Sequence, residues 1–516
     1  MKLTSRLLSH LEISFQTVPN PHTVHFTVLT SVPRRTTSLY PYARDHPRCF
    51  QVDYLVTLAT EVERPSSSSA TATKVTAEDS VSKVEAAGPQ VVEKGKGKGK
   101  VLTTALSAHL YILPQHRTSI LYISKLDSSG YPNTKTPLSR LFITSTLSYF
   151  LHHRPTSHVR IQLFARSQGQ YLFPNSSEGP KKVLGGLGLC GWWKGVYEDV
   201  AASSISKEGN GYQVKLGMVL PGYSWDEARG MLGQRRPLAD GLQWTASAPF
   251  DTPLPLPSTS SSSSSLGPSS SLGPTSSSGD ITSAPGQSRP SLASLIPSLP
   301  DDPKARFLDD LISDGSQDPQ RRHNLLKPKN ESGGSSSSIP TSSPGKKKDR
   351  DPLKNRAKAE DEAERRFTHA TLEAISVGEY WERMGFRQEC ISGDVTGFFT
   401  LESSPSTLSS ETTSTPMTSP NTRDPIASPT ALPHAIVERI LSALLNTDFK
   451  TFESSLDHSA LWENQVSSLV VDEIGEEGYK ACVGSVEGKM GLEDSAPERK
   501  EEAPVTMLQP RKKKKV

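Results

Sequence analysis

The sequence predicts a mixed α/β fold: a central mixed sheet surrounded by helices, one large domain with long disordered insertions. Three observations carry this. Alternating apolar runs, such as Val214, Leu216, Met218 and Leu220, recur between stretches with helical apolar spacing. Hydrophobic residues are only 34% of the 516 positions, and mean hydropathy is −0.46, low for a chain packed throughout. Much of the 40 Pro and 36 Gly lies in Ser/Pro/Gly tracts. Setting those tracts aside leaves on the order of 300 residues, enough for one large core or two modest ones.

Residues 1–64 read as the first part of the domain. They open on a short amphipathic segment (Leu3, Leu7, Leu8, Leu11), with strand-like runs at Val24 to Val32 and Val52 to Val62. Residues 65–100 are a Ser/Ala/Lys/Gly insertion too polar to pack. Residues 101–250 are the best-patterned part. Ile120 to Ile123 is a short strand, and a turn-rich stretch runs from Lys125 to Lys135. Thr136 is placed to cap a helix with Pro137 at its first position, continuing through Leu138, Leu141 and Phe142 to Leu151. Val159, Ile161 and Leu163 alternate as a strand, and an aromatic-rich helix runs from near Gly188 to Val200. Residues 251–298 are a Ser/Pro/Gly insertion without order. Order resumes over 299–312, and 313–361 is a second, basic insertion. Residues 362–402 hold a helix from about Ala363 to Met384 and a strand near Val395 to Leu401. A third Ser/Thr/Pro tract covers 403–430. Residues 431–516 carry an amphipathic helix (Val437, Ile440, Leu441, Leu444) and a basic tail. No internal repeat is visible.

Several classes drop out. No run approaches the roughly 18 apolar residues of a spanning helix, so no membrane role is expected. The first residues carry Lys2, Arg6, His10 and Glu12 and lack an apolar signal core. Four cysteines (Cys49, Cys190, Cys390, Cys482) lie far apart with no CxxC, which argues against a disulfide scaffold or a zinc site and for a reducing compartment. The net charge of +3 is not a nucleic-acid coat, and no base-stacking module is visible. The basic residues come in blocks at 94–100, at 346–358 and at Arg511 to Lys515. The terminal block reads either as a nuclear import signal or as a solvated tail.

No standard catalytic motif is present, so chemistry rests on three local groups. The helix start behind Lys135 offers unpaired N–H groups and a cation, an anion site or simply a capped helix. Phe164, Arg166, Tyr171, Phe173, Lys181, Lys182, Trp192 and Trp193 mix rings with cations, which suits a flat base with phosphates, or an ordinary core beside surface lysines. Asp301-Asp302-Pro303-Lys304 reads as a helix cap, or as a paired carboxylate able to accept a proton.

The order and wording of these groups resemble one family, the fungal histone acetyltransferases first named as regulators of Ty-one transposition. The matching stretches are Ile123 to Tyr131, Gln170 to Ser177, Lys181-Lys182 with Trp192-Trp193, Pro300 to Phe307, Tyr380-Trp381-Glu382 with Phe386 to Glu389, and Val505 to Lys513. The DDPKARF string is the most specific. The stretch from Lys182 to Trp192 is one residue shorter than the family's, and Gln168 replaces a small residue. The resemblance implies a fold similar to the acetyltransferase domain of CREB-binding protein. It implies acetyl-CoA as co-substrate with no metal, and newly made histone H three, paired with histone H four, as acceptor at lysine fifty-six and tail lysines. Histone chaperones would be activators, and the setting would be nuclear, in chromatin assembly and the DNA damage response.

By the same resemblance, Leu126, Asp127 and Ser128 line the acetyl-CoA site and Lys135, Thr136, Pro137, Leu138 and Ser139 grip the pyrophosphate. Phe164, Arg166, Gln168 and Tyr171 hold the donor, and Val183 and Leu184 wall the pantetheine. Trp193 shapes the acceptor tunnel, Asp302 is the proton acceptor with Asp301 beside it, and Lys304 matches the family's self-acetylated lysine. Asp302, Trp193 and Lys135 are then expected around one cavity. The competing expectation is a non-catalytic chromatin scaffold that binds histones without the coenzyme.

Overall fold

A computed structural model of the chain describes residues 3–17, 22–44, 46–64, 98–132, 137–208, 211–233, 237–239, 241–246, 254, 291–317, 352–387, 390, 393–406 and 425–488. The first strands are β1 (Val24–Thr30), β2 (Arg34–Thr36), β3 (Cys49–Glu63), β4 (Lys98–Leu113) and β5 (Thr118–Ser128). Helix α1 (Leu3–Gln16) precedes them. Then come α2 (Leu138–His153), β6 (His158–Ala165), α3 (Gly186–Glu208), β7 (Tyr212–Val219), α4 (Trp225–Leu232) and β8 (Trp244–Ala246). The later elements are α5 (Leu292–Leu295), α6 (Pro303–Gln317), α7 (Pro352–Ala374), α8 (Val377–Met384), β9 (Gly397–Pro405), α9 (His434–Leu445), α10 (Phe452–Lys480) and β10 (Val483–Val486).

The strands form one ten-stranded sheet in the order β10-β1-β3-β4-β5-β6-β9-β7-β8, with β2 on β3. Pairing is antiparallel except for β5 with β6 and β7 with β8. The sheet is covered on both faces, so the apolar residues of its central strands need not alternate. One face takes α1, α2 and α3, packing Tyr54, Val56, Leu106, Leu121 and Ile161 beneath Phe142, Val196 and Tyr197. The opposite face takes α9 and α10, with Leu55, Leu102 and Ala105 under Ile440, Trp462 and Val466. Helices α5 to α8 form a third cluster on Phe398, and Leu299 joins Tyr111, Ile120 and Tyr122 in a fourth.

The placement of the functional cavities follows from one irregularity. Pairing between the parallel strands β5 and β6 ends at Ile123 with Leu163, although β5 continues to Ser128 and β6 to Ala165. The two strands part there, leaving a fork at their carboxyl ends, the usual ligand position in such sheets.

The structure departs from the sequence-based boundaries in several places. Strand β4 was not anticipated. It begins at Lys98, so the end of the 65–100 insertion is ordered by pairing with β3. Leu126 to Ser128 are strand rather than turn, because they pair with β4. Helix α2 starts at Leu138 with Pro137 in the cap position and no side-chain cap, one residue later than expected. Helix α3 starts at Gly186, where the Asp394 carboxylate accepts the Gly186 N–H at 2.7 and 2.8 Å; a side chain there would collide with the Val395 carbonyl.

The described stretch that holds Leu299 starts at Ser291, within the expected 251–298 insertion, with Leu292, Leu295 and Ile296 buried. Within the expected 313–361 insertion, α6 reaches Gln317 and α7 starts at Pro352, a favoured first helical residue followed by strong helix formers. The expected helix from Ala363 to Met384 breaks at Ser376, whose hydroxyl caps α8. Ser403, Ser404 and Pro405 belong to β9, held between β6 and β7. The thinly apolar end contains β10 and α10, whose helical backbone is broken at Gly475 (φ +75°). The remaining parts of the Ser/Pro/Gly tracts, Lys346 to Lys348 and Arg511 to Lys515 lie outside the described residues.

Candidate active site

Two adjoining cavities occupy the fork. The first, about 450 Å³, is lined by Tyr122, Ser124, Lys125, Phe164, Arg166, Gln168, Tyr171, Leu299, Asp301, Asp302, Ala305 and Arg306. The second, about 190 Å³, is lined by Thr104, Leu126, Asp127, Ser128, Ser139, Ser167, Lys181, Lys182, Val183, Leu184, Leu189, Trp192 and Trp193, and again by Gln168 and Tyr171. Gln168 and Tyr171 are thus the shared wall. Asp302 and Trp193 do not line one space; they face two spaces that meet. Lys135 and Thr136 lie outside the described residues.

The acidic loop is built around Asp302. Its Oδ1 accepts the Lys304 N–H at 2.9 Å, which caps α6, and its Oδ2 pairs with the Lys304 ammonium. Both residues are 1% exposed. Burial pulls the Lys304 amine below its ordinary pKa, and the Asp302 charge opposes that. The ammonium also lies 4.4 Å from the Phe398 ring centroid, and Tyr380 donates its hydroxyl to the Lys304 carbonyl at 3.3 Å. Asp301 is the opposite case. It adopts φ +57°, its side chain is 74% exposed, and Lys125 Nζ lies 3.6 Å from its Oδ2. The two neighbours are therefore not equivalent: one carboxylate is spent inside, the other faces out.

Asp127 lines the second cavity, but its carboxylate is committed to the fold. Oδ2 accepts the N–H groups of Tyr171, Leu172 and Phe173 at 2.7, 2.9 and 3.1 Å, and Oδ1 takes the Ser128 N–H and the Lys181 ammonium. That fixes the loop after β6 against β5. Gly130 (φ +88°) allows the following turn to press on Lys181, where a Cβ would sit 2.7 Å from the Lys181 nitrogen. Tyr171 is locked by donating its hydroxyl to the Arg166 carbonyl, and burial pushes that phenol up to about 12.

The remaining anticipated residues sort clearly. Ser139 lines the second cavity and shares a 2.7 Å hydrogen bond with Thr104. Leu138 turns its side chain into the core and Pro137 is exposed, so neither offers a side chain to an anion. The backbone N–H of Leu138 and Ser139 precede the first helical hydrogen bonds to Pro137, made by Arg140 and Leu141, and suit a phosphate. Phe164 stacks on Phe398 at 4.7 Å. Val183 and Leu184 wall the second cavity, with the Leu184 carbonyl held by the Ser167 hydroxyl at 2.6 Å. Trp193 is 5% exposed and packs edge-on to Trp192 at 4.9 Å. These apolar walls, ending at helix N–H donors, fit a long thiol cofactor with a phosphate end. Among the described residues no group of three or more His, Cys, Asp or Glu could hold a metal ion.

Sequence reasoning missed Tyr122, Ser124, Lys125 and Arg306 as lining groups. Period-two alternation along β5 puts Tyr122 and Ser124 on one side, a signal that was present.

The sequence pattern of the histone acetyltransferase KAT11-type domain matches residues 144–465. The chain belongs to the KAT11-type histone acetyltransferase family. It is 28% identical over 299 residues to the protein named histone acetyltransferase rtt109 of Aspergillus flavus, a match covering 56% of this chain and 43% of that one. It is 23% identical over 303 residues to histone acetyltransferase rtt109 of Schizosaccharomyces pombe, covering 56% and 54%. The chain therefore spans about half the length of these curated relatives. The crystal structure of Rtt109 from Aspergillus fumigatus superposes with a TM-score of 0.56 at 20% identity, over 94% of this chain and 99% of that one. That likeness establishes the common fold.

Proposed function

We propose that this chain is a histone lysine acetyltransferase that takes its acetyl group from acetyl-CoA. We propose newly made histone H three, paired with histone H four, as acceptor, at lysine fifty-six and tail lysines. A histone chaperone acts as activator, and the setting is the nucleus, in replication-coupled chromatin assembly and the DNA damage response. The observation that carries this reading is the meeting of a tryptophan-walled slot with an acid-rimmed cavity at Gln168 and Tyr171. Family membership supports it.

When bound, the coenzyme supplies an acetyl group already activated as a thioester, so most acceleration comes from positioning. The first turn of α2 offers N–H donors to the phosphates, and Leu126, Val183, Leu184 and Trp193 exclude water along the slot. An acceptor lysine arrives as ammonium, with a free pKa near 10.4, and must lose a proton before it attacks. Asp301 faces solvent at the rim and draws that cation. Asp302 holds Lys304 with one oxygen, so it accepts a proton only as Lys304 yields that oxygen. The same proximity makes Lys304 the residue we assign to self-acetylation.

Purified full-length protein, labelled acetyl-CoA and histones, with and without a chaperone, provide the test. Label transfer to histone lysines is the expected result. Histone binding without acetyl-CoA binding would replace this reading with the scaffold.

A further inference from the structure

Tyr122 belongs to a polar row that crosses the sheet. Asp53 of β3 is registered with His109 of β4, and His109 with Tyr122 of β5. The three side chains lie side by side on the sheet face that carries α9. The Asp53 carboxylate anchors the row. It accepts from His109 Nδ1 at 2.6 Å and from Gln51 Nε2 at 2.7 Å, and it pairs with His434 on α9. His434 is tied in turn to Glu438 at 3.0 Å. Burial works to raise the Asp53 pKa, but the bond and charge of His109, with Gln51 and His434, pull it down to about 2. The carboxylate therefore keeps its charge and its grip on both imidazoles. The His109 ring lies parallel to Tyr122, 17° between planes and 6.5 Å between centroids. Tyr122 also packs in the cluster of Leu299, two residues before the acidic pair.

The phenol ends in the first cavity. Tyr122 is 2% exposed, it lines the space with Asp301, Asp302 and Tyr171, and its hydroxyl has no hydrogen-bond partner among the described residues. Burial first, then the charges of Asp302 and Asp301, raise its pKa well above the ordinary value. Such a group stays protonated and acts as a donor rather than a base. The neighbouring Tyr171 cannot serve, since its hydroxyl is spent on the Arg166 carbonyl.

We propose that Tyr122 is a catalytic residue that donates a hydrogen bond to the acyl oxygen as negative charge develops there, and that His109, braced by Asp53 and His434, is the positioning residue that fixes its ring. This rests on the acetyl-transfer reading above. No proton leaves Tyr122 in this role: the amine nitrogen bonds to the acyl carbon, the carbon–sulfur bond breaks with its electron pair to sulfur, and the amine proton passes to a carboxylate or water. A neutral donor held in place before the charge appears needs no reorganisation.

The full-length protein with Tyr122→Phe keeps the ring and the packing. Its kcat falls about 10²-fold, the usual scale for losing one such donor, while its Kd for acetyl-CoA rises a few-fold at most, the scale of one neutral hydrogen bond to the resting carbonyl. A second readout is independent of turnover. The carbonyl resonance of acetyl-CoA labelled with carbon-13 at the acyl carbon moves downfield on binding the wild type, and that displacement is lost in Tyr122→Phe. His109→Leu lowers kcat at constant KM, and His109→Gln, which retains a donor to Asp53, recovers part of it. Wild-type kcat together with wild-type carbonyl displacement in Tyr122→Phe overturns the proposal while leaving acetyl transfer intact. A wild-type protein that neither binds nor turns over acetyl-CoA overturns the underlying reading as well.

Discussion

Asp127→Asn is the sharpest test of how the donor slot is built. The native carboxylate serves four backbone N–H groups and one ammonium, with Asp127 6% exposed and the Lys181 side chain 9% exposed. Asparagine keeps one acceptor oxygen and puts an NH₂ where the other was. Donors from the 171–173 loop or the Lys181 ammonium then face that NH₂. Breaking a buried ion pair from one side costs about 3–5 kcal/mol, because the other charge stays behind. Denaturant unfolding of the variant should show a loss of that size. The Tyr171 wall shared by both cavities should loosen, raising the Kd for acetyl-CoA in calorimetry. Lys181→Met is the control. It leaves a carboxylate still satisfied by four amides, so it should cost clearly less. Wild-type stability and coenzyme affinity in Asp127→Asn, or a larger loss in Lys181→Met, would refute the claim that the carboxylate organises this loop.

Asp302→Asn strands the Lys304 ammonium in the core and should cost a similar 3–5 kcal/mol by chemical unfolding, whereas Asp301→Asn should leave stability unchanged and raise KM for the histone. Trp193→Ala empties part of the slot wall, with about 3–5 kcal/mol lost in thermal or chemical melts and weaker coenzyme binding. Gly186→Ala drives a methyl into the Val395 carbonyl and should cost about 1–3 kcal/mol, read as a lower unfolding midpoint. The Asp53 carboxyl, depressed to about 2 in the fold against about 3.9 unfolded, contributes about 2–3 kcal/mol that is fully present above about pH 5 and lost progressively as pH falls through about 2. Asp53→Asn should remove that part of the acid-induced loss in a pH series of melts.

The mixed fold and the acidic loop were readable because their signals are local. The run from Pro300 to Phe307 carries its own cap, first-turn proline and amphipathic helix, and α6 follows it. The strand β4 was hidden because Val101 to Leu113 is buried on both faces, and Thr103, Thr104, Ser107 and His109 interrupt its apolar residues without a period of two. Helix α10 was hidden for the opposite reason: Trp462, Val466 and Val470 make a narrow apolar stripe in a long charged segment. The separation of Asp302 from Trp193 into two cavities depends on where β5 and β6 part. The partnership of Asp53, His109 and Tyr122 depends on register between strands that are far apart in sequence. Neither has a local signature.

The pairing of β1 with β10 has a consequence for synthesis. Val24 to Thr27 acquire their outer neighbour only from Val483 to Val486, so a ribosome must extrude more than 450 residues before the first strand is flanked on both sides. Until then an apolar ribbon waits with an open border, and contacts of such long range are slow to form. The nascent protein should accordingly depend on holding factors more than its finished sheet would suggest, and cutting the chain back past Val483 should yield aggregates rather than a smaller enzyme.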